Sequence, residues 1–288
     1  EFDIIHFHID YFHYSLTRRY RFPNVTTLHG RLDIPDLVPL YNEYVEIGVI
    51  SISDSQRSPL PWINWQGTVY HGLPADLLPF NERGGEYLAF LGRVSPEKGL
   101  EAAIAIATRS GIGLKVAAKI DKDDIEYYEE KIKPLLDNPL VEFIGEINER
   151  EKKDFLGNAL ALLFPIDWEE PFGLVMIESM ACGTPVITFA RGSVPEVMRD
   201  GVSGYLVHDV EGAVKAVAKV PSLSRQGCRK YFEERFLAER MAADYLTIYE
   251  RLIDAADKGT RATRRPIPCT SDASTNAGAG LAEGHRRF

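Results

Sequence analysis

Glu170-Pro171-Phe172-Gly173-Leu174-Val175-Met176-Ile177-Glu178, running on into Ser179-Met180-Ala181-Cys182-Gly183-Thr184-Pro185-Val186-Ile187, is the stretch that decides the fold. With the apolar run 161–165 ahead of it, it reads as a buried strand, a glycine turn, a short helix and a second buried strand. Pro171 occupies the position at which a helix favours proline, so the helix is expected to begin near Phe172. Gly173 has no side chain, which lets a ligand approach the unpartnered amides of the first helical turn, where anions bind.

The two glutamates bound the chemistry. On one continuous helix, eight residues separate them by about 12 Å along the axis and roughly 80° around it. Carboxylate pairs that share one scissile glycosidic bond sit about 5 to 9.5 Å apart. The wider spacing suits a long ligand with hydroxyls at both ends and charge between, the shape of a sugar nucleotide.

Composition narrows the field further. The 288 residues suggest about two domains, and 45% of them are hydrophobic, enough for ordinary cores. The formal charge of -9 argues against a nucleic-acid partner, because a phosphate backbone demands basic surface. No apolar segment has transmembrane length and no signal peptide opens the chain, so a cytoplasmic protein is expected. Cys182, Cys228 and Cys269 lack paired or metal-like spacing. His6 and His8 alternate and His13 follows, a grouping to be weighed as a metal site.

In chain order, strands are expected at 2–8, 25–29, 47–53 and 68–70, with helices near 12–19 and 37–44. Alternation of this kind implies a parallel sheet with crossover helices. Residues 73–86, with Pro74, Pro79 and a charged Gly-Gly run, read as an interdomain linker. Beyond it come a strand at 87–91, a strand at 114–119, a helix at 123–136, a strand at 141–145 and a helix at 149–158. That regularity marks a doubly wound domain, whose ligands bind beyond the carboxyl ends of the strands. A helix at 210–219 closes it, and 224–255 reads as one long amphipathic helix with Phe232, Phe236, Met241, Tyr245, Ile248 and Leu252 on its apolar face. From 257 onward the composition predicts a disordered tail.

Ser95-Pro96-Glu97-Lys98 reads as a helix start, with Ser95 as N-cap and Pro96 at the first position. Lys98 then falls in the first turn, where the helix dipole disfavours a cation. Arg93 adds a second cation at the preceding strand end, so a bound anion accounts for both. The alternative is Lys98 paired with Glu97 or Glu101 on a solvated face.

The E-P-F-G-L-x-x-x-E string resembles the E-x7-E signature of retaining glycosyltransferases, especially glycosyltransferase family 4, whose fold is GT-B. Gly192-Ser193-Val194-Pro195-Glu196 and Asp200-Gly201-Val202-Ser203-Gly204 are similar to the same family. The resemblance implies an α/β fold of two Rossmann-like domains, the first incomplete. Residues 1–72 would be the remaining acceptor-side domain, 87–220 the nucleotide-sugar domain, and 221–256 a helix crossing back.

What it implies for the site follows residue by residue. Arg93 and Lys98 match an R-x4-K pair that holds the donor diphosphate, with Gly92 beside them. Glu170 would meet the donor sugar hydroxyls, or be an N-terminal glutamate favoured by the helix dipole, and Glu178 would meet the ribose, while the amides of Phe172, Gly173 and Leu174 complete the site. Ile147 would meet the base. His8 would sit over the sugar near the anomeric centre, or be a satisfied structural histidine, with His29 and His71 structural or cleft-lining. Glu196 would touch ribose or base, or cap a local turn, and Lys119 would add a third cation beside the phosphates. The implied donor is UDP-glucose or GDP-mannose, UDP-glucose slightly ahead, with no metal cofactor. The acceptor would be a small molecule, a glycan or a lipid. A non-catalytic sugar-nucleotide-binding remnant and a GT-B nucleotide-sugar epimerase stand as alternatives.

Overall fold

The structure is a computed structural model, and it describes residues 2–19 and 22–263. Its first half is a parallel sheet in the order β1 (Ile5–Phe7), β2 (Asn24–Thr27), β3 (Val49–Ser51) and β4 (Trp65–Thr68), with α1 (Tyr14–Arg19) and α2 (Val38–Glu43) as crossovers. Three strands lie where alternation put them, although shorter. The fourth does not: β4 precedes the expected 68–70 because Gly67, the residue that disguised it, is needed inside the strand. A Cβ on Gly67 would meet Ile248 at 3.1 Å, so the missing side chain makes room for a helix packed on that face.

The second half is built on a six-stranded parallel sheet. Its chain order is β5 (Tyr87–Arg93), α3 (Leu100–Ser110), β6 (Leu114–Lys119), α4 (Ile125–Tyr127), β7 (Val141–Gly145), α5 (Glu149–Gly157) and β8 (Ala159–Phe164). It continues with α6 (Leu174–Ala181), β9 (Val186–Phe189), α7 (Val194–Val197), β10 (Gly204–Val207) and α8 (Val210–Lys219). The spatial order is β10-β9-β8-β5-β6-β7. The chain starts at the centre, winds outward through β6 and β7, and returns to β8, which pairs with β5. Winding therefore reverses between β5 and β8, and the crevice beyond their carboxyl ends is where such a sheet binds ligands. Apolar layers cover both faces, with Met176, Ile177 and Met180 of α6 on one and Leu100, Ile104 and Ala107 of α3 on the other. This is why β8 reads as a continuous apolar run rather than an alternating one.

Four expectations need correction. The helix expected at 123–136 is broken: after α4 the chain passes through a π turn (Tyr128–Ile132) and a 3-10 turn (Lys133–Asp137). Pro134 lacks the N–H and crowds the carbonyl one turn back. The expected 224–255 helix is two, α9 (Arg225–Arg235) and α10 (Ala238–Thr263). Phe236 caps α9 and Leu237 leaves the helix to bridge Leu73 in parallel, with Leu73 N–H donating to Phe236 O (2.9 Å) and Ala238 N–H to Leu73 O (3.0 Å). The outgoing and returning connections thus run side by side. Third, α6 starts at Leu174, not near Phe172, so Pro171 lies outside it. Fourth, residues 257–263 continue α10; the rest of the expected disordered tail, and Cys269, lie outside the described residues.

The segment 73–86 is firmly held. Leu78 is fully buried, Arg229 bonds the carbonyls of Ala75 and Leu78, and Arg225 bonds that of Asn81. Cys182 and Cys228 are free thiols buried in the same core. Ile248 of α10 packs against Val25, Ile50 and Val69, so the last helix covers the N-terminal sheet.

Candidate active site

Both strands at the reversal point deliver charge to the crevice. β5 ends on Arg93, and the segment after β8 delivers Trp168, Glu170 and the turn into α6. Gly173 holds φ at +79°, a left-handed conformation costly for other residues, and this redirects the chain from strand to helix. A Cβ there would lie 2.7 Å from Met176 and 3.1 Å from the Phe164 ring. Because Glu170 precedes this turn, the 12 Å axial separation from Glu178 does not apply.

A cavity of about 260 Å3 opens here. One side is Arg93, Lys98, Trp168, Glu170 and the chain from Pro171 to Leu174; the other, from the N-terminal half, is His29, Gly30, Arg31, Ile52 and His71. Of the predicted residues, Arg93, Lys98, Glu170, Phe172, Gly173 and Leu174 are brought together. Gly92, Lys119, Ile147, Glu178, Glu196 and His8 do not line this cavity.

Lys98 ends a 3-10 turn (Pro96–Lys98), and Gly99 separates it from α3, so it is not in the helix's first turn. Ser95 holds the N-cap position but makes no side-chain cap bond. The ammonium donates to Glu170 Oε2 at 2.7 Å rather than to Glu97 or Glu101. Trp168 Nε1 donates to the same oxygen at 2.9 Å, and the ammonium lies 4.8 Å from the Trp168 ring centroid. Glu170 is 8% exposed, a carboxylate retained in the core by two directed donors.

Arg93 is shared between Glu97 (3.0 Å) and Asp121 (3.4 Å). Lys119, its register partner on β6, holds Asp121 at 2.8 Å. Asp121 thus joins the two cations, and its carboxyl is held below the usual range chiefly by the Lys119 hydrogen bond.

Glu178 faces α5, where Lys152 donates to it at 2.7 Å and also reaches Glu149 at 2.6 Å. Glu196 accepts from the N–H groups of Asp54 (2.7 Å) and Ser55 (2.6 Å) and from the Tyr70 hydroxyl (3.1 Å). It therefore caps a turn, although in the other half of the molecule rather than locally. Ile147 is half-buried against the core.

The histidines form a chain. His8 is exposed and hydrogen-bonds His29 at 2.8 Å, and His29 stacks on His71 with ring centroids 5.4 Å apart. His71 then meets the Phe172 ring edge-on at 4.9 Å. It is thus His29 and His71, not His8, that reach the cavity. Burial, with neighbouring His29, His8 and Arg240, pushes His71 down to about 4, and burial lowers His29 and His8 too. These rings are neutral near pH 7. Among the described residues no group of three or more His, Cys, Asp or Glu is arranged to hold a metal ion.

The sequence reading passed over Trp168, Arg31, Asp121, Lys152 and Tyr70. Trp168 stood in plain view two residues before Glu170, at the strand end where ligands bind. Lys152 carried no signal, since its meeting with Glu178 is a contact between two helices.

Two parallel sheets, facing each other across a cleft lined by cations and carboxylate at a winding reversal, form the GT-B glycosyltransferase fold. The fold is shared with the Anabaena HepE structure solved with UDP and glucose (TM-score 0.68, 17% identity, 85% of this chain and 74% of that one). Residues 80–235 match the family described as Glycosyl transferases group 1, and the chain belongs to that family. Among curated relatives, it is 27% identical over 224 residues to a glycogen synthase of Mycobacterium tuberculosis (71% of this chain, 52% of that protein). It is 31% identical over 144 residues to a D-inositol 3-phosphate glycosyltransferase of Mycobacterium marinum (45% of this chain, 29% of that protein). The chain spans about half or less of the length of the curated relatives it matches.

Proposed function

We propose that the protein is a retaining glycosyltransferase of family 4 that moves a hexose from a nucleoside-diphosphate sugar to an acceptor hydroxyl. The observation that carries this is the cavity in which Arg93, Lys98 and Glu170 converge with the backbone leading into α6. The two cations would neutralise the departing diphosphate, and charge-assisted contacts of this kind contribute about 1.5–3 kcal/mol each. Glu170 would accept from the sugar hydroxyls once Lys98 turns to phosphate. In this reading residues 87–220 bind the donor, with Glu178 on the ribose and Ile147 at the base, while 1–72 face the acceptor and 73–86 link the two.

In this reading Glu170 binds hydroxyls rather than forming a covalent bond, so stabilisation of developing charge would be the main catalytic contribution. Closure of the halves would exclude water and suppress donor hydrolysis. The relatives' names and the UDP and glucose of the HepE structure support a nucleotide-sugar donor, and we put UDP-glucose ahead of GDP-mannose. We propose a metal-free reaction in the cytoplasm; no helix among the described residues is long and apolar enough to cross a membrane.

Calorimetric titration with UDP-glucose, GDP-mannose, UDP and GDP tests the reading, alongside Arg93→Ala and Glu178→Ala. Binding of one nucleotide family, weakened at least about tenfold by Arg93→Ala, is the expected result. No binding to folded protein overturns it. Binding without transfer to any added acceptor makes the chain a sugar-nucleotide-binding module.

A further inference from the structure

We propose that Glu196 is a positioning residue, a latch that ties the N-terminal half to the rim of the cavity and responds to the cavity's occupancy. All three of its hydrogen-bond partners, Asp54 N–H, Ser55 N–H and the Tyr70 hydroxyl, belong to the other half. Each carboxylate oxygen accepts from one of the two adjacent amides, so the grip fixes orientation as well as distance. Three of the roughly four lone-pair sites of this carboxylate are thus taken by protein donors.

Both ends of this grip touch the cavity wall. On the N-terminal side, Ile52 lines the cavity two residues ahead of Asp54. On the other side, the segment leading into α7 is fastened to the main chain of Glu170: Ser193 N–H donates to Glu170 O at 2.9 Å, and Gly192 N–H to the Glu169 carboxylate at 2.9 Å. Gly192 permits this contact, because a Cβ there would lie 2.4 Å from Glu170 N. A ligand that draws Lys98 from Glu170 therefore acts on the segment that carries Glu196. The coupling to occupancy rests on the donor reading above, whereas the latch itself does not.

Amide hydrogen exchange over residues 52–58 tests both parts, in the wild-type chain, Glu196→Ala and Glu196→Gln, with and without UDP or GDP. The amides of Asp54 and Ser55 should exchange at least about tenfold faster in Glu196→Ala. Glu196→Gln, which keeps the volume and one acceptor oxygen, should recover protection at one of them and serves if the alanine variant fails to fold. Nucleotide should slow this segment by roughly threefold in wild type and leave it unmoved in Glu196→Ala, while nucleotide affinity changes less than about threefold. Unchanged exchange in both folded variants overturns the latch. An affinity loss beyond about tenfold also overturns it, by placing Glu196 on the nucleotide. If wild-type protein binds neither nucleotide, the donor reading and the coupling fall together, and exchange in ligand-free protein still decides the latch.

Discussion

Replacing Lys98 by methionine removes the cation from Glu170 while keeping the length of the side chain. Lys98 and Glu170 side chains are 19% and 10% exposed, so the pair lies between the buried and surface regimes. Breaking a fully buried pair costs about 3–5 kcal/mol. Glu170 retains the Trp168 N–H at 2.9 Å, which offsets part of that cost, and we expect about 2–3 kcal/mol for Lys98→Met. Glu170→Gln keeps a neutral acceptor for the ammonium and should cost about 1–2 kcal/mol. The double variant has no charge left to strand, so it should be less destabilised than the sum by about 1–2 kcal/mol. Urea unfolding at pH 7, followed by tryptophan fluorescence with the slope checked for constancy, measures all three. Additivity within about 0.5 kcal/mol would show that the two charges do not stabilise one another, and the geometry would have misled us.

Three further outcomes follow from the same structure. Gly173→Ala forces a Cβ into the φ +79° turn and against Met176 and Phe164, so it should cost about 1–3 kcal/mol in thermal unfolding and weaken nucleotide binding in titration. Arg225 is half-buried and donates to the carbonyls of Asn81, Gly157 and Ala159 and to Thr184 Oγ1; Arg225→Ala strands these acceptors and should lower Tm by about 10 °C. His6, His13 and His71 are each held down to about 4, chiefly by burial. Between pH 6.5 and about 4 the unfolded chain binds protons that these rings refuse. Stability is therefore fully present above pH 6.5 and falls as the pH drops, these three rings contributing uptake of up to three protons on unfolding; a stability profile flat from pH 7 to 4.5 would refute this assignment.

Sequence and structure divide the protein along a physical line. Period and punctuation are local properties, so the strand at 114–119, the apolar run at 161–165, and the alternation of strand and helix are legible from neighbours in the chain. So is the convergence of Arg93, Lys98 and Glu170, because strand ends in a doubly wound sheet share one crevice wherever the intervening loops go. The break at Phe236 and Leu237 was not legible, since the pairing that pulls them out of a helix is with Leu73, far away in sequence. Nor was β4, whose glycine looks like a strand breaker until Ile248 is seen resting on it. The partners of the charges were hidden for the same reason. Lys98 finds Glu170, Lys152 finds Glu178, and Glu196 finds Asp54 and Ser55 across contacts 26 to 142 residues apart in the chain. By itself the sequence determined which residues are charged and at which strand ends they stand. Only the tertiary structure decided whom each charge meets, because an ion pair is set by distance in space and chain order specifies none.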